Sequence, residues 1–157
     1  PLVMVAPSTA HTGVAAMAET VLAGLAGLGV RAAISMLDTP PADLPDWATA
    51  GLGRQDELLT KAAVVVGGGG HGLLAKALAA GVPVVTVPGG GDQWELANRA
   101  VRQGSSVLVR PLTPEAVGAA VRQVLDDPAY AATAREAAAG LSRVEDPVDI
   151  CHDAAKR

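Results

Sequence analysis

The stretch AAVVVGGGGHGLLAKALAAGVPVVTVPGGGDQWELAN, residues 62–98, decides the fold of this chain. Its valines at 64–66 form a β-branched run that is typical of a buried parallel strand. After a glycine-rich loop, the apolar segment from Leu73 to Ala80 predicts a short helix, which a glycine and a proline end. A second strand at 84–87 leads to a second glycine cluster, and the pair Asp92–Gln93 opens another helix. The stretch therefore predicts a strand–helix–strand–helix unit with a glycine loop after each strand.

Strands and helices alternate on both sides of this unit. Further strands are expected at 2–6, 30–36 and 107–109, whereas residues 47–54 have an irregular pattern. Further helices are expected at 14–28, 55–62, 113–125, 128–141 and 146–155. This alternation predicts an α/β fold, a Rossmann-like parallel sheet of five or six strands with helices on both faces. In such sheets ligands bind beyond the carboxyl ends of the strands, where Ser8 and both glycine clusters fall.

Length, charge and composition exclude several classes of protein. The 157 residues suit a single domain, residues 1–157, with a substantial core. A net charge of −4 and only two Trp, one Tyr and no Phe argue against nucleic-acid binding. No apolar run is long enough for a membrane span, and Arg31 is the first basic residue, so a secretory leader is not indicated and a cytoplasmic location is expected. The single cysteine, Cys151, excludes an internal disulfide, and with its neighbours it is interpreted as a solvated tail, not a metal site.

The first glycine loop, residues 67–72, is the strongest indication of a ligand. Five of its six residues are glycine, at a strand end and before a helix. Glycine lets a phosphate approach the backbone, and the free N–H groups and the helix dipole favour an anion. A tight turn that binds nothing is the alternative, although such a turn needs fewer glycines. The loop also matches G-x-G-x-x-G, with Asp92 twenty residues beyond Gly72, so an NAD-binding domain stays open as a less favoured alternative.

The chain resembles the donor-binding, C-terminal half of GT-B glycosyltransferases, especially bacterial enzymes related to the UDP-glycosyltransferases. The segment from Val64 to Asn98 has their order of strand, glycine loop, helix, G-V-P, strand and D-Q, and the resemblance covers essentially the whole chain. The matching positions are Gly69-Gly70-His71-Gly72, Ala77-Leu78, Gly81-Val82-Pro83, Pro88, Asp92-Gln93 and Asn98, with Gly104 beyond and Pro1 to Ala10 at the first strand and loop.

The resemblance implies a role for each candidate site residue. Gly69, Gly70, His71 and Gly72 would present backbone N–H groups to the pyrophosphate of a nucleotide sugar, and Ser8 would approach the same phosphates. Asp92 and Gln93 would hold hydroxyls of the transferred sugar, and Trp47 would stack on the base. No metal and no further cofactor are expected, since N–H groups and the helix dipole carry the leaving-group charge. The implied partner is an N-terminal acceptor-binding domain, in the same chain or in a separate subunit.

Some positions differ from the family pattern. Gly68 stands where the family has a histidine, Leu73 where it has a threonine, and Lys76 where a glutamate often binds ribose; two extra residues also separate Gln93 from Asn98. The catalytic base of inverting relatives lies in the other half, so no catalytic residue is assigned in this chain. Two functions follow as hypotheses: the donor-binding domain of an inverting glycosyltransferase with a small-molecule or lipid acceptor, or a degenerate, non-catalytic donor-like domain or partner subunit.

Overall fold

In the computed structural model, residues 1–7, 14–37 and 40–156 are described. Six strands form one sheet in these ranges: β1 Leu2–Ala6, β2 Arg31–Ser35, β3 Ala48–Gly51, β4 Ala62–Gly67, β5 Val84–Thr86 and β6 Ser106–Leu108. The helices described are α1 Val14–Leu25, α2 Gln55–Leu59, α3 His71–Ala79, α4 Gln93–Gln103, α5 Pro114–Asp126, α6 Pro128–Gly140 and α7 Pro147–Ala155, with a short 3₁₀ turn, Leu141–Arg143, before α7.

The strand order is β3-β2-β1-β4-β5-β6, and every neighbouring pair is parallel. The predicted α/β Rossmann-like sheet with helices on both faces is therefore confirmed. Because all strands are parallel, the loops after β1, β2, β4 and β5 share one edge of the sheet, which we call the carboxyl edge. The strand order reverses between β1 and β4, so this edge has a crevice at its centre.

The structure corrects the expectation for residues 47–54, which were expected to be irregular. Ala48–Gly51 forms β3, the edge strand beside β2, with Ala32 opposite Ala48 and Ser35 opposite Gly51. The strand contains one β-branched residue and no clear alternation of apolar and polar residues. Its extended conformation is therefore determined by its pairing with β2, not by local propensity.

Two apolar cores lie on opposite faces of the sheet because alternate side chains of each strand point to opposite faces. Val3, Val5, Val64 and Val66 contribute to the larger core, which α1 and α5 cover. The smaller core lies beneath α3 and α4, and its buried members include Met4, Leu59, Val65, Leu74, Ala77, Val84 and Ala100. The central strands β1 and β4 are thus buried on both faces, as the continuous apolar run at 64–66 predicted.

Helices α1 and α5 meet at two glycines. A Cβ atom placed on Gly118 would lie 2.5 Å from the carbonyl oxygen of Gly24, and one placed on Gly24 would lie 2.4 Å from that of Pro114. Both distances are far below a van der Waals contact, so neither position has room for a side chain. Helix α5 begins where the sequence predicted. Thr113 Oγ1 accepts a hydrogen bond from the Ala116 N–H at 3.2 Å, and Pro114 lies in the first turn.

Candidate ligand site at the carboxyl edge

The first glycine loop connects β4 directly to α3. The helix begins at His71, two residues before the expected start at Leu73, and Gly70 is its N-cap residue. The Leu74 N–H donates to the Gly70 carbonyl at 3.1 Å, so the N–H groups of His71, Gly72 and Leu73 have no intrahelical partner. His71 and Gly72 therefore belong to the first helical turn, and their N–H groups add to the positive end of the helix dipole.

The glycines of this loop differ in the space around them. A Cβ atom on Gly67 would lie 2.2 Å from Leu73 Cδ2 and 2.9 Å from the Ala6 carbonyl oxygen. Gly69 has φ +76°, a left-handed conformation that favours glycine. Among the described residues, and apart from chain neighbours and the backbone of α3 itself, a Cβ atom on Gly70 would have only Gln93 Nε2 as near as 4.0 Å, and one on Gly72 would have no atom within 4 Å. Gly67 and Gly69 are thus required by the local structure, whereas Gly70 and Gly72 leave open space in front of the helix.

Gln93 orders the second glycine loop. The residue is 6% exposed, and its Oε1 accepts a hydrogen bond from the Gly89 N–H at 2.9 Å. Its Nε2 would lie 4.0 Å from a Cβ atom placed on Gly70. The amide thus holds the loop after β5 against the start of α4, a contact that the sequence did not predict.

Asp92 precedes α4 and is exposed. It is the N-cap residue, but its backbone is in the right-handed helical region and its side chain makes no capping hydrogen bond. The carboxylate is therefore not used as a helix cap, and it lies next to Gln93 at the carboxyl edge. Strand β5 ends at Thr86, six positions earlier, so Asp92 does not directly follow a strand as the acidic residue of a dinucleotide fingerprint does.

A cavity of about 840 Å³ opens on the other side of the first loop, beyond the carboxyl ends of β1, β2 and β3. Its apolar walls include Met36, Leu37, Leu52 and Leu59, and α2 and α3 border it. The volume lies in the range of typical small-molecule sites. The sequence interpretation missed this cavity because β3 was not recognised, and the residues that follow a parallel strand are those that form such a site.

Four polar side chains of the cavity make hydrogen bonds, to each other, to the backbone or to Arg54 beside the cavity. Ser35 Oγ donates to the Gly53 carbonyl at 3.2 Å, and Lys76 Nζ donates to Gln55 Oε1 at 3.4 Å. Arg54 donates to Asp56 Oδ2 at 3.0 Å, and this hydrogen bond lowers the pKa of the Asp56 carboxyl below its ordinary value. Lys76, which stands where the family often has a glutamate, is one of the residues on the wall of the cavity.

The structure brings together most of the predicted site residues. Two adjacent strands, β4 and β5, lead to these residues. The loops after the strands contain Gly69, Gly70 and Asp92, and the first turns of the helices that follow contain His71, Gly72 and Gln93. Ser8 lies outside the described residues. Trp47 is a correction: it precedes β3 at the opposite, amino edge of the sheet, where it is half-buried against the larger core and its carbonyl accepts from the Ala32 N–H at 2.9 Å. Trp47 is therefore not part of the candidate site.

Comparisons with known proteins agree with this geometry. Residues 44–155 match the family described as "Erythromycin biosynthesis protein CIII-like, C-terminal domain". The "O-mycaminosyltylonolide 6-deoxyallosyltransferase" of Streptomyces fradiae is 36% identical over 114 residues, which are 70% of this chain and 27% of that protein. A "PGL/p-HBAD biosynthesis glycosyltransferase" of Mycobacterium tuberculosis is 41% identical over 80 residues, 50% of this chain and 19% of that protein.

Among solved structures, a glycosyltransferase from Streptomyces sp. SF2575, complexed with thymidine diphosphate, matches with a TM-score of 0.78 and 27% identity. The match covers 100% of this chain and 41% of that one. This chain thus spans less than half the length of each of these relatives. It belongs to the family of erythromycin biosynthesis protein CIII-like C-terminal domains, and its fold is that of the C-terminal half of GT-B glycosyltransferases. Within the described ranges, no helix combines the length and the apolar character that a membrane span requires.

Proposed function

We propose that this chain is the donor-binding half of an inverting glycosyltransferase that uses a nucleotide diphosphate sugar and a small-molecule or lipid acceptor. The observation that carries the proposal is the space that the described residues leave open at Gly70 and Gly72, directly in front of the N–H groups of α3 that have no intrahelical partner. Glycine at these positions serves no packing need in the described residues, and an anion is the ligand that such a helix start favours. The thymidine diphosphate in the Streptomyces relative supports the same ligand class.

The diphosphate is placed at the start of α3. The N–H groups of His71, Gly72 and Leu73 donate to its oxygens, and the helix dipole stabilises the negative charge that develops on the leaving group. His71 acts here through its backbone. The protein itself thus stabilises the leaving group, and neither a metal nor a cofactor takes part.

The space on the two sides of the first glycine loop determines how the nucleotide sugar is oriented. The cavity beside β1, β2 and β3 has the volume for a nucleoside, whereas Gln93 closes the side toward β5 more tightly. We therefore place the nucleoside in the cavity and the sugar near Asp92. The uncapped Asp92 carboxylate accepts hydrogen bonds from sugar hydroxyls, which a carboxylate can do with both oxygens. The buried Gln93 positions the loop that carries Asp92.

The acceptor site and the catalytic base are assigned to a second half, in the same chain or in a partner subunit. The carboxyl edge of this chain offers phosphate and sugar contacts, and the solved relative is more than twice as long as the matched part. We expect the 157-residue chain alone to bind the donor and not to transfer the sugar. Sugar transfer to an acceptor by the purified chain would contradict this assignment.

The phosphate site is tested by the substitution Gly70→Val. A side chain at Gly70 meets open space, so the variant should fold as the parent does while its isopropyl group occupies the position of the diphosphate. We expect calorimetry to show at least about a tenfold loss of affinity for TDP and UDP, since several N–H hydrogen bonds are blocked. Gly140→Val is the matched control, because a Cβ there meets only the end of Arg143 at 3.5 Å, in a helix outside the site. Equal affinities of the Gly70→Val variant and the parent would reject the site.

The sugar assignment is tested by Asp92→Asn. If the carboxylate holds the sugar, the variant should bind a nucleotide sugar about tenfold more weakly and the matching nucleotide diphosphate unchanged. Equal losses for both ligands would remove the sugar role. NAD binding that Asp92→Asn weakens would instead favour the dinucleotide alternative, and a parent chain that binds no nucleotide would favour the degenerate, non-catalytic domain.

A further inference from the structure

An arginine and a tryptophan are in contact at the carboxyl edge, close to Asp92. The Arg110 guanidinium carbon lies 4.9 Å from the centre of the Trp94 ring, which is a cation–π contact. Trp94 is in the first turn of α4, two residues after Asp92, and Arg110 lies two residues after the end of β6. The contact therefore joins the start of α4 to the loop after β6.

The backbone on both sides of Arg110 is held in place. The Val109 N–H donates to the Thr86 carbonyl at 2.8 Å, and the Val109 side chain is buried in the larger core. Three residues after Arg110, Thr113 caps α5. Because its backbone is anchored and its guanidinium is held by the Trp94 ring, Arg110 loses little side-chain entropy when it binds a ligand.

The charge of Arg110 is exposed, and the part of the chain that the structure describes does not neutralise it. In that part, the arginines with a carboxylate partner are Arg54, Arg99 and Arg102. A cation–π contact leaves the N–H donors of a guanidinium without an oxygen partner, and an oxyanion is the group that fits them best. The described loops after β4, β5 and β6 contain no other lysine or arginine. Arg110 is therefore the cation of this side of the carboxyl edge.

We infer that Arg110 binds a carboxylate of the transferred sugar, so that the donor is a nucleotide derivative of a uronic acid. This inference rests on the proposed function, which places the diphosphate at the start of α3 and the sugar near Asp92. Neighbouring strands lie about 4.8 Å apart. The order β4-β5-β6 then places the diphosphate, the sugar and Arg110 side by side along the carboxyl edge. The part of the sugar ring that is remote from its bond to the diphosphate faces the loop after β6.

The chemistry of the guanidinium favours a carboxylate over a hydroxyl at that part of the ring. The planar fork of an arginine binds both oxygens of a carboxylate through two parallel hydrogen bonds. Asp92 repels a second carboxylate, and the positive charge of Arg110 compensates for this repulsion. A sugar with an ammonium group there is disfavoured, because Arg110 repels it.

The inference is tested by calorimetry with the glucuronic acid and glucose derivatives of UDP and of TDP. The parent chain should bind the glucuronic acid derivative about tenfold more tightly than the glucose derivative of the same nucleotide, since hydrogen bonds between charged groups are the stronger ones. Arg110→Gln should remove this preference and leave the affinities for UDP and TDP unchanged. Arg122→Gln is the matched control, because Arg122 is exposed on α5, outside the site, and its loss changes the net charge equally.

A second variant tests whether Trp94 positions the guanidinium. Trp94→Leu keeps the charge of Arg110 and removes the aromatic ring, so the preference for the glucuronic acid derivative should fall to about threefold. The same variant should leave the affinities for UDP and TDP unchanged. A full tenfold preference in Trp94→Leu would overturn the positioning role of the ring.

The outcomes separate this inference from the proposed function. Equal affinities of the parent chain for the two sugar derivatives, or a preference that survives Arg110→Gln, would overturn the role of Arg110 and leave the phosphate site intact. Equal effects of Arg110→Gln and Arg122→Gln would reduce the preference to net charge and would also overturn it. A loss of UDP and TDP affinity in Arg110→Gln would assign the residue to the diphosphate and not to the sugar. A parent chain that binds no nucleotide would overturn the inference and the proposed function together.

Discussion

Two regions of this molecule depend on glycine for opposite reasons. At the contact between α1 and α5, Gly24 and Gly118 bring two backbones so close that no side chain fits. At the start of α3, Gly70 and Gly72 face space that the described residues leave open. The number of glycines alone therefore does not identify a ligand site, whereas the space around each glycine distinguishes a packing role from a binding role.

The largest effect on stability is expected at the helix contact. Gly118→Ala places a methyl group 2.5 Å from the Gly24 carbonyl oxygen, and backbone cannot move aside as a side chain can. We expect a loss of about 2 kcal/mol in the free energy of unfolding, from overpacking that the better helix propensity of alanine offsets only in part. Urea unfolding measures it, and an unchanged midpoint would show that the helices separate at no cost.

A smaller effect is expected at Gly67, the last residue of β4. A methyl group there meets Leu73 Cδ2 at 2.2 Å, which the flexible end of the side chain can relieve, and the Ala6 carbonyl at 2.9 Å, which is less easily relieved. We expect Gly67→Ala to lower the free energy of unfolding by about 1 kcal/mol. A loss larger than that of Gly118→Ala would reverse the order of the two regions.

At Gly72 the sign of the effect should change. This residue lies in the first turn of α3, and none of the described residues outside that turn has an atom within 4 Å of the position that a Cβ atom would take. Alanine therefore removes backbone entropy from the unfolded chain without strain. We expect Gly72→Ala to raise the free energy of unfolding by about 0.5 kcal/mol. Thermal unfolding in the absence of nucleotide measures this gain, and a destabilised variant would show that the loop is packed after all.

The smallest effect is expected on the solvent-exposed face of α4, where neither packing nor ligand space is involved. Arg99 donates to Glu95 at 2.8 Å and Arg102 at 3.3 Å, and these contacts hold the pKa of Glu95 below its ordinary value of 4.5. A lowered pKa means that the contribution to stability is present above the pKa of the unfolded chain and is lost as the pH falls through the folded value. In Arg99→Gln, NMR titration should show the Glu95 pKa rising toward 4.5, with little change in unfolding at neutral pH.

The sequence was sufficient for most of the fold because its central strands carry strong local signals. The valine runs at 64–66 and 84–87 and the helix start at Thr113 all lie where expected. Strand β3 was missed because Ala48–Gly51 becomes a strand through its pairing with β2, a contact between residues that are distant in sequence. Missing β3 also concealed Leu52 and the cavity, since both follow from knowing where that strand ends.

The candidate site was predictable in its position and less so in its detail. Glycine loops after parallel strands indicate a carboxyl-edge site without any tertiary information. The distinction between Gly67, which is packed, and Gly70, which is open, depends on neighbours contributed by β1 and α3. The same holds for Trp47, whose side chain packs against a core that the local pattern does not reveal.

The Gln93 contact has a thermodynamic consequence. Its buried Oε1 accepts from the Gly89 N–H, and a side chain placed on Gly70 would come within 4.0 Å of its Nε2, so changes in both loops reach the same amide. Substitutions at positions that share a partner are not additive, and their interaction free energies commonly reach about 0.5 kcal/mol or more. The affinities measured for Gly70→Val and Asp92→Asn should therefore not sum in the double variant. The free energies of binding the phosphate and the sugar would then be coupled and not independent.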